Sequence, residues 1–342
     1  MSTTTTLLPA DLLAALEDVV VSDGGRSVTV GEADPIEGAS AAAVRSAFAG
    51  KLYEVLHTGP RSDTEDGIPR SWRDSRLEQR LEEATPHSTV VRTVPLGLLP
   101  HPTGSHLVAV VDGVRFAVDR DLLVDDLPAD VRDGTVTEWT GQVRLPAVRP
   151  GLSPGFFLVD GSVGRPHSEP VLRVYLHVRS ETSAPQVWRT VLTALEDEGA
   201  AYRAKIGSHA ALYPRRDAMV IYLGQSSWHL VDLLLRVAAS LDGIGDETSL
   251  LARRVGPGVG VAFEPDDRRT GWTNLSFGEH RCHAIVDGIL AQAGAELVRG
   301  SDVPGAVAES LAEAGVVPGE PWRNAGSPAV DLEALRGQAA QG

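Results

Sequence analysis

Of the 31 basic residues in this chain only Lys51 and Lys205 are lysines; the rest are arginines. Arginine stays protonated at any reachable pH, whereas a lysine crowded by cations is disfavoured in its charged form and can act as a base. Lys205 lies in Tyr202-Arg203-Ala204-Lys205, between Arg173-Val174-Tyr175-Leu176-His177 and Tyr213-Pro214-Arg215-Arg216-Asp217. Residues two apart on a strand share a face. Arg173, Tyr175, His177 and Arg179 therefore form a polar face opposite the apolar Leu172, Val174, Leu176 and Val178. The same rule pairs Arg203 with Lys205, and Arg216 with Ala218, Val220 and Tyr222. A solvated strand face has the same pattern, and Lys51 reads equally as an exposed helix former. His280 and Arg281 fall in the first turn of a helix opened by Ser276-Phe277-Gly278-Glu279, a capping box whose exposed amides attract anions.

If the strands carrying these faces are neighbours, their residues merge into one pocket. Arginines bind phosphate bidentately. Lys205 is then a candidate general base and His177 a candidate general acid. The chemistry that needs these parts together is β-elimination of phosphate from phosphoserine or phosphothreonine, in which a base takes the α-carbon proton and an acid protonates the departing phosphate. Other patterns weigh less. Gly256-Pro257-Gly258-Val259-Gly260 lacks the lysine and Ser/Thr of a phosphate loop. His280 and His283 lie three apart with no nearby carboxylate partner, so no metal and no cofactor are expected. Cys282 is the only cysteine, which excludes an intrachain disulfide.

The elements that must position these residues follow from periodicity and punctuation. Helices are expected from Pro9 through Val19, from Ala41 to His57, and from Ser75 to Ala84, with a polar loop at Ser62 to Arg73. Period-two patterning then takes over. Leu107–Val111 and Val114–Val118, around Asp112-Gly113, read as a hairpin, and Val136–Leu145 and Gly155–Val159 as further strands. In the second half, strands at Leu172–Arg179, Tyr202–Ile206, Ala218–Leu223 and Val259–Phe263 alternate with helices at Ala184–Glu198 and Ser226–Leu241. Helices from Gly278 to Ala295 and from Val307 to Ala314 follow. The class is α+β: N-terminal helices and a β-meander, then a mixed β-sheet covered by helices. Residues 1–95 form an N-terminal helical region, 96–330 the α+β domain, and 331–342 a fraying tail. A formal net charge of −15 argues against a general nucleic-acid or membrane-surface binder. The absence of a long apolar run or a basic leader points to the cytoplasm.

Several runs together resemble the HopA-type effector family: Leu152-Ser153-Pro154-Gly155-Phe156-Phe157, Leu172-Arg173-Val174-Tyr175, Tyr202-Arg203-Ala204-Lys205, Tyr213-Pro214-Arg215-Arg216-Asp217-Ala218, Ser276-Phe277-Gly278-Glu279-His280-Arg281-Cys282 and Asn324-Ala325-Gly326-Ser327. The resemblance covers about residues 150 to 330, with a fainter echo at Lys51-Leu52-Tyr53. It implies a phosphoserine/phosphothreonine lyase of class V lanthipeptide or thioamitide assembly. Such a protein acts after a separate Ser/Thr kinase on a ribosomal precursor peptide and leaves dehydroalanine or dehydrobutyrine. A more distant similarity to phosphothreonine lyase effectors implies Lys205 as base, His177 as acid, and Arg173 and Arg216 as phosphate ligands. The HopA-like motif adds Arg281. Two departures stand out. Arg-x-Tyr-x-His makes Tyr175 an alternative acid, and the tail has alanine after Asn324 where the family more often has proline. A non-catalytic partner that binds the precursor peptide or the kinase is the alternative expectation.

Overall fold

Leu12 and Leu16, one turn apart, bury the apolar stripe of α1 (Ala10–Leu16). The helix stops there and not at Val19, because the β-branched run Val19-Val20-Val21 prefers a strand and pairs as β1 (Val19–Ser22) with β2 (Ser27–Val30). The computed structural model describes residues 8–59, 72–101, 104–111, 113–149, 151–167, 169–294 and 297–331. The expected loop at 62–73 and tail at 331–342 lie almost wholly outside these, as does Asp112 of the hairpin turn.

After β3 (Ile36–Glu37), Ser40 caps α2 (Ala41–Leu52), which widens into a π-helical turn at Tyr53–Thr58. Helix α3 (Ser75–Ala84) is capped by Asp74. The meander follows as β4 (Thr89–His101), β5 (Gly104–Val111), β6 (Val114–Val118), the short α4 (Ala129–Arg132) and β7 (Glu138–Pro146), with sheet order β6-β5-β4-β7. It encloses its own small core around Val94, Leu107, Ala109 and Val143. The rest of the chain supplies β8 (Phe156–Asp160), β9 (Val171–Val178), α5 (Ala184–Asp197), β10 (Tyr202–Gly207), β11 (Arg215–Gly224), α6 (Leu230–Ala239), β12 (Arg253–Gly256), β13 (Val259–Phe263), α7 (Phe277–Leu290), β14 (Val298–Arg299), which joins β1, and α8 (Pro304–Glu313).

The class is α+β, as the sequence leads one to expect. The main sheet runs β12-β13-β9-β11-β10-β8, and every pairing in it is antiparallel. This corrects the expectation of mixed pairing. Strands β9 and β10 are linked through α5 but are not adjacent, because β11 returns between them and separates the two like-directed strands. Direct neighbours share a side of a sheet, so the polar faces still merge. Fully buried Trp188 of α5 meets Phe157 of β8 at 5.9 Å on the apolar face. On the polar face, Phe277 of α7 and His57 of the π turn meet Tyr175, with ring centroids at 5.9 and 5.3 Å. Among the described residues no helix is long and apolar enough to cross a membrane.

Candidate functional site

Strand register creates the site. Asp160, Arg203, Tyr222 and Arg173 lie in one row across β8, β10, β11 and β9, and Leu158, Lys205, Val220 and Tyr175 lie in the next. Adjacent strands are about 4.8 Å apart, so Lys205 and Tyr175 flank Val220 with roughly 10 Å between their strands. A two-lobed cleft opens over these rows. One lobe, of about 490 Å³, is lined by Tyr53, His57, Tyr175, Lys205, Arg215 and Asp217, with Thr273–Ser276 and Glu279 at the entrance to α7. The other, of about 410 Å³, is lined by Arg165, His167, Arg203 and Tyr222. Leu152, Ser153, Arg173, Lys205 and Glu264 border both lobes.

Three of the arginines here, Arg173, Arg203 and Arg215, each meet a carboxylate. Arg173 Nε and Nη2 each donate to Glu264 at 2.5 Å. Arg203 forks onto Asp160 at 2.6 and 3.1 Å, where Arg149 also donates. Arg215 forks onto Asp217 at 2.8 Å on both arms and donates to Tyr53 Oη at 3.2 Å; Tyr53 donates to Asp217 at 3.3 Å. Lys205 is different. Its Nζ donates to Ser153 Oγ at 3.4 Å and lies 4.2 Å from the centre of the Phe156 ring. Among the described residues no carboxylate forms a salt bridge with it. Tyr175 is 2% exposed, and its hydroxyl is buried without a well-formed hydrogen bond.

Burial pushes the Tyr175 phenol up against the opposing pull of Arg173, so it is protonated at neutral pH. Burial also works to raise Asp217, but Arg215 and His57 override it and hold that carboxylate well below the ordinary range. His57 shows the converse. Burial, opposed by Asp217 and aided by Arg215, brings it down to about 4. Its Nδ1 lies 2.8 Å from Ser249 Oγ and its Nε2 lies 3.5 Å from Asp217. An unfolded chain therefore takes up a proton near the ordinary histidine value of about 6.5 that folded His57 refuses until about pH 4. Stability is expected to fall as pH drops through that window, by about 3 kcal/mol from this residue at the limit. Urea unfolding across the window checks this, and His57→Gln should flatten the slope.

The structure brings Lys205, Tyr175, Arg173 and Arg203 to the cleft but not the other candidate site residues, His177, Arg216, His280 and Arg281. A register shift in β11 between Arg215 and Met219 reverses the alternation, so Arg215 and Asp217 line the cleft in place of Arg216. Arg216 instead holds Glu247 at 2.9 Å and the Val55 carbonyl at 3.0 Å. His177 does not line the cleft either. It packs on Gly245, where a Cβ would come within 2.5 Å of its ring, and burial lowers its pKa despite the opposing charge of Glu247. His280 and Arg281 are 0% exposed and sit behind the cleft. His280 Nε2 meets Asp267 at 2.9 Å, while Arg281 donates to the Pro321 carbonyl and to Asn324 Oδ1 at 2.9 and 2.6 Å. Burial lowers Arg281 to about 9. These contacts join two of the sequence motifs, since Asn324 Nδ2 in turn donates to the Glu264 carbonyl at 2.7 Å.

Sequence reasoning missed Tyr53, His57, Ser153, Arg215, Asp217 and Glu264 as cleft residues. Signals were present: Ser153, Arg215, Asp217 and Tyr53 lie in runs that resemble the HopA-type family, and Tyr53-x-x-x-His57 is a helical i, i+4 pair. The π turn carries both residues over α7 at Gly278, where any Cβ would fall 2.4 Å from His57 and 2.6 Å from Tyr53.

The scaffold is α+β, and one antiparallel sheet gathers arginines, Lys205 and a buried phenol. Residues 147–323, more than half of the chain, match the family model described as the HopA1 effector protein family. The chain belongs to that family. Two solved structures are similar to it, both effector proteins of Pseudomonas syringae. The one from pv. tomato strain DC3000 is 15% identical with a TM-score of 0.44, and the alignment covers 83% of this chain and 90% of that one. The one from pv. syringae strain 61 is 12% identical with a TM-score of 0.44, covering 82% and 95%. Among curated proteins, none matches this chain.

Proposed function

We propose that this chain is a phosphoserine/phosphothreonine lyase acting on a peptide that a separate Ser/Thr kinase has phosphorylated, as in the assembly of a ribosomal natural product. The observation that carries the reading is the row Lys205–Val220–Tyr175, with Arg173 beside it. A phosphorylated residue lying over Val220 would have its α-carbon toward Lys205 and its phosphate between Tyr175 and Arg173. Lys205, as the neutral amine, takes the α-carbon proton. The resulting electron pair forms the alkene as the Cβ–O bond breaks, and Tyr175 protonates the departing phosphate oxygen. Proton return from Lys205 to Tyr175 resets the site. Arg173 and Arg215 present guanidinium groups to this lobe, and such forks suit a phosphate dianion, while Glu279 is engaged in capping α7.

In this reading Tyr175, and not His177, is the acid. Tyr175→Phe should lower kcat by about 10²-fold or more with little change in thermal stability, because the lost hydroxyl makes no well-formed hydrogen bond. An unchanged kcat would remove Tyr175 from the mechanism. The direct test is incubation with a phosphothreonine peptide followed by mass spectrometry. Loss of the elements of phosphoric acid marks elimination, and recovery of threonine marks hydrolysis. A second reading, a non-catalytic module that binds the precursor peptide or the kinase, is favoured by one observation: Arg173, Arg203 and Arg215 already carry carboxylates. Unchanged phosphopeptide that co-purifies with the chain would decide for it.

A further inference from the structure

Three arginine–carboxylate pairs border the cleft, and they are not equivalent. The Asp160 and Asp217 side chains are 1% and 5% exposed, and each has a further partner: Arg149 for Asp160, Tyr53 for Asp217. The Glu264 side chain is 44% exposed, although its partner Arg173 is only 8% exposed. Its backbone is pinned, with the amide donating to the Val171 carbonyl at 3.1 Å and the carbonyl accepting from Asn324 at 2.7 Å. The carboxylate reaches from this fixed point to the boundary of both lobes, where it holds the Arg173 fork that a phosphate would use.

We propose that Glu264 is a resident anion of the phosphate subsite: its carboxylate holds Arg173 between turnovers, yields that guanidinium to the phosphate of the incoming peptide, and takes it back as inorganic phosphate leaves. This rests on the lyase reading for the identity of the ligand. The exchange is between two anions that fit one guanidinium edge, so Arg173 stays paired throughout and its burial stays compensated. The competition weakens substrate capture and, by the same amount, weakens retention of product.

The test is calorimetric titration of the full chain and of Glu264→Gln with inorganic phosphate. Glu264→Gln should bind phosphate on the order of tenfold more tightly, since one like charge is removed from the site. In turnover the same variant should show a lower KM for a phosphothreonine peptide, a lower kcat, and inhibition by phosphate at about tenfold lower concentration. A merely structural Glu264 would give the opposite sign, because loosening Arg173 weakens anion binding. Glu264→Ala, which also deletes the amide, should tighten phosphate too and keeps the test open if the glutamine variant folds poorly. Unchanged or weaker phosphate binding in both variants overturns the proposal. Tighter binding without any elimination would sink the lyase reading and leave the subsite standing, whereas elimination with unchanged phosphate affinity would do the reverse.

Discussion

Lys205→Ala should reduce elimination from a phosphothreonine peptide by at least about 10³-fold, within the range of a positioned proton-transfer group, while the protein keeps its fold. The stability half of this expectation follows from the surroundings of the side chain. Lys205 is half-buried at the border of both lobes, its only hydrogen bond among the described residues is the 3.4 Å contact to Ser153, and it forms no buried ion pair. Removing it leaves no carboxylate without a partner. Lys205→Arg sharpens the result, because arginine keeps the charge and still reaches the Phe156 ring but cannot take a proton at neutral pH. If the role of Lys205 were electrostatic, the arginine variant would retain most of the activity. Turnover of each variant, measured beside its urea-unfolding curve, separates loss of chemistry from loss of structure.

Asp217→Ala should destabilise the protein by about 3–5 kcal/mol, the cost of leaving a buried partner charge uncompensated. Arg215 is 7% exposed and both arms of its fork rest on Asp217, so truncation strands a guanidinium that is largely shielded from water. Tyr53 and His57 lose the same carboxylate. An exposed pair such as Arg268–Asp266 offers the contrast, since breaking it should change stability by less than about 1 kcal/mol. The Asp217 contribution also has a pH signature. Because Arg215 depresses the carboxylate, that stability is complete above the ordinary aspartate range and is lost as pH falls through the lower, folded-state value. Urea midpoints for Asp217→Ala near neutral pH test the magnitude.

How much of this was legible in the sequence depended on how local each feature is. The meander hairpin, the Ser276/Glu279 capping box and the alternating face of Arg173 and Tyr175 are written in spacings of two to four residues, and the structure has all three. Sheet order is not local. Nothing near β9 or β10 announces that β11 inserts between them, so the merging of their faces was a condition in the sequence and became a fact only through register. The β11 register shift is subtler still. One irregularity between Arg215 and Met219 exchanges Arg216 for Arg215 in the cleft, and Arg215-Arg216-Asp217 gives no sign of which arginine faces in. Tyr53 and His57 come from a helix far from the main run of motifs, and they reach the cleft only because its last turn widens and Gly278 leaves room. The resemblance to the HopA-like motif implied Arg281 as a phosphate ligand, yet its side chain is buried and ties to Asn324, which in turn donates to the Glu264 carbonyl.

The central claim is that Lys205 and Tyr175 break a carbon–oxygen bond, not a phosphorus–oxygen bond. Turnover of a phosphothreonine peptide in heavy-oxygen water tests it most directly. Elimination releases phosphate with all of its original oxygens and leaves an alkene in the peptide. Released phosphate carrying one solvent oxygen, together with a restored threonine, would mean hydrolysis and would contradict the mechanism.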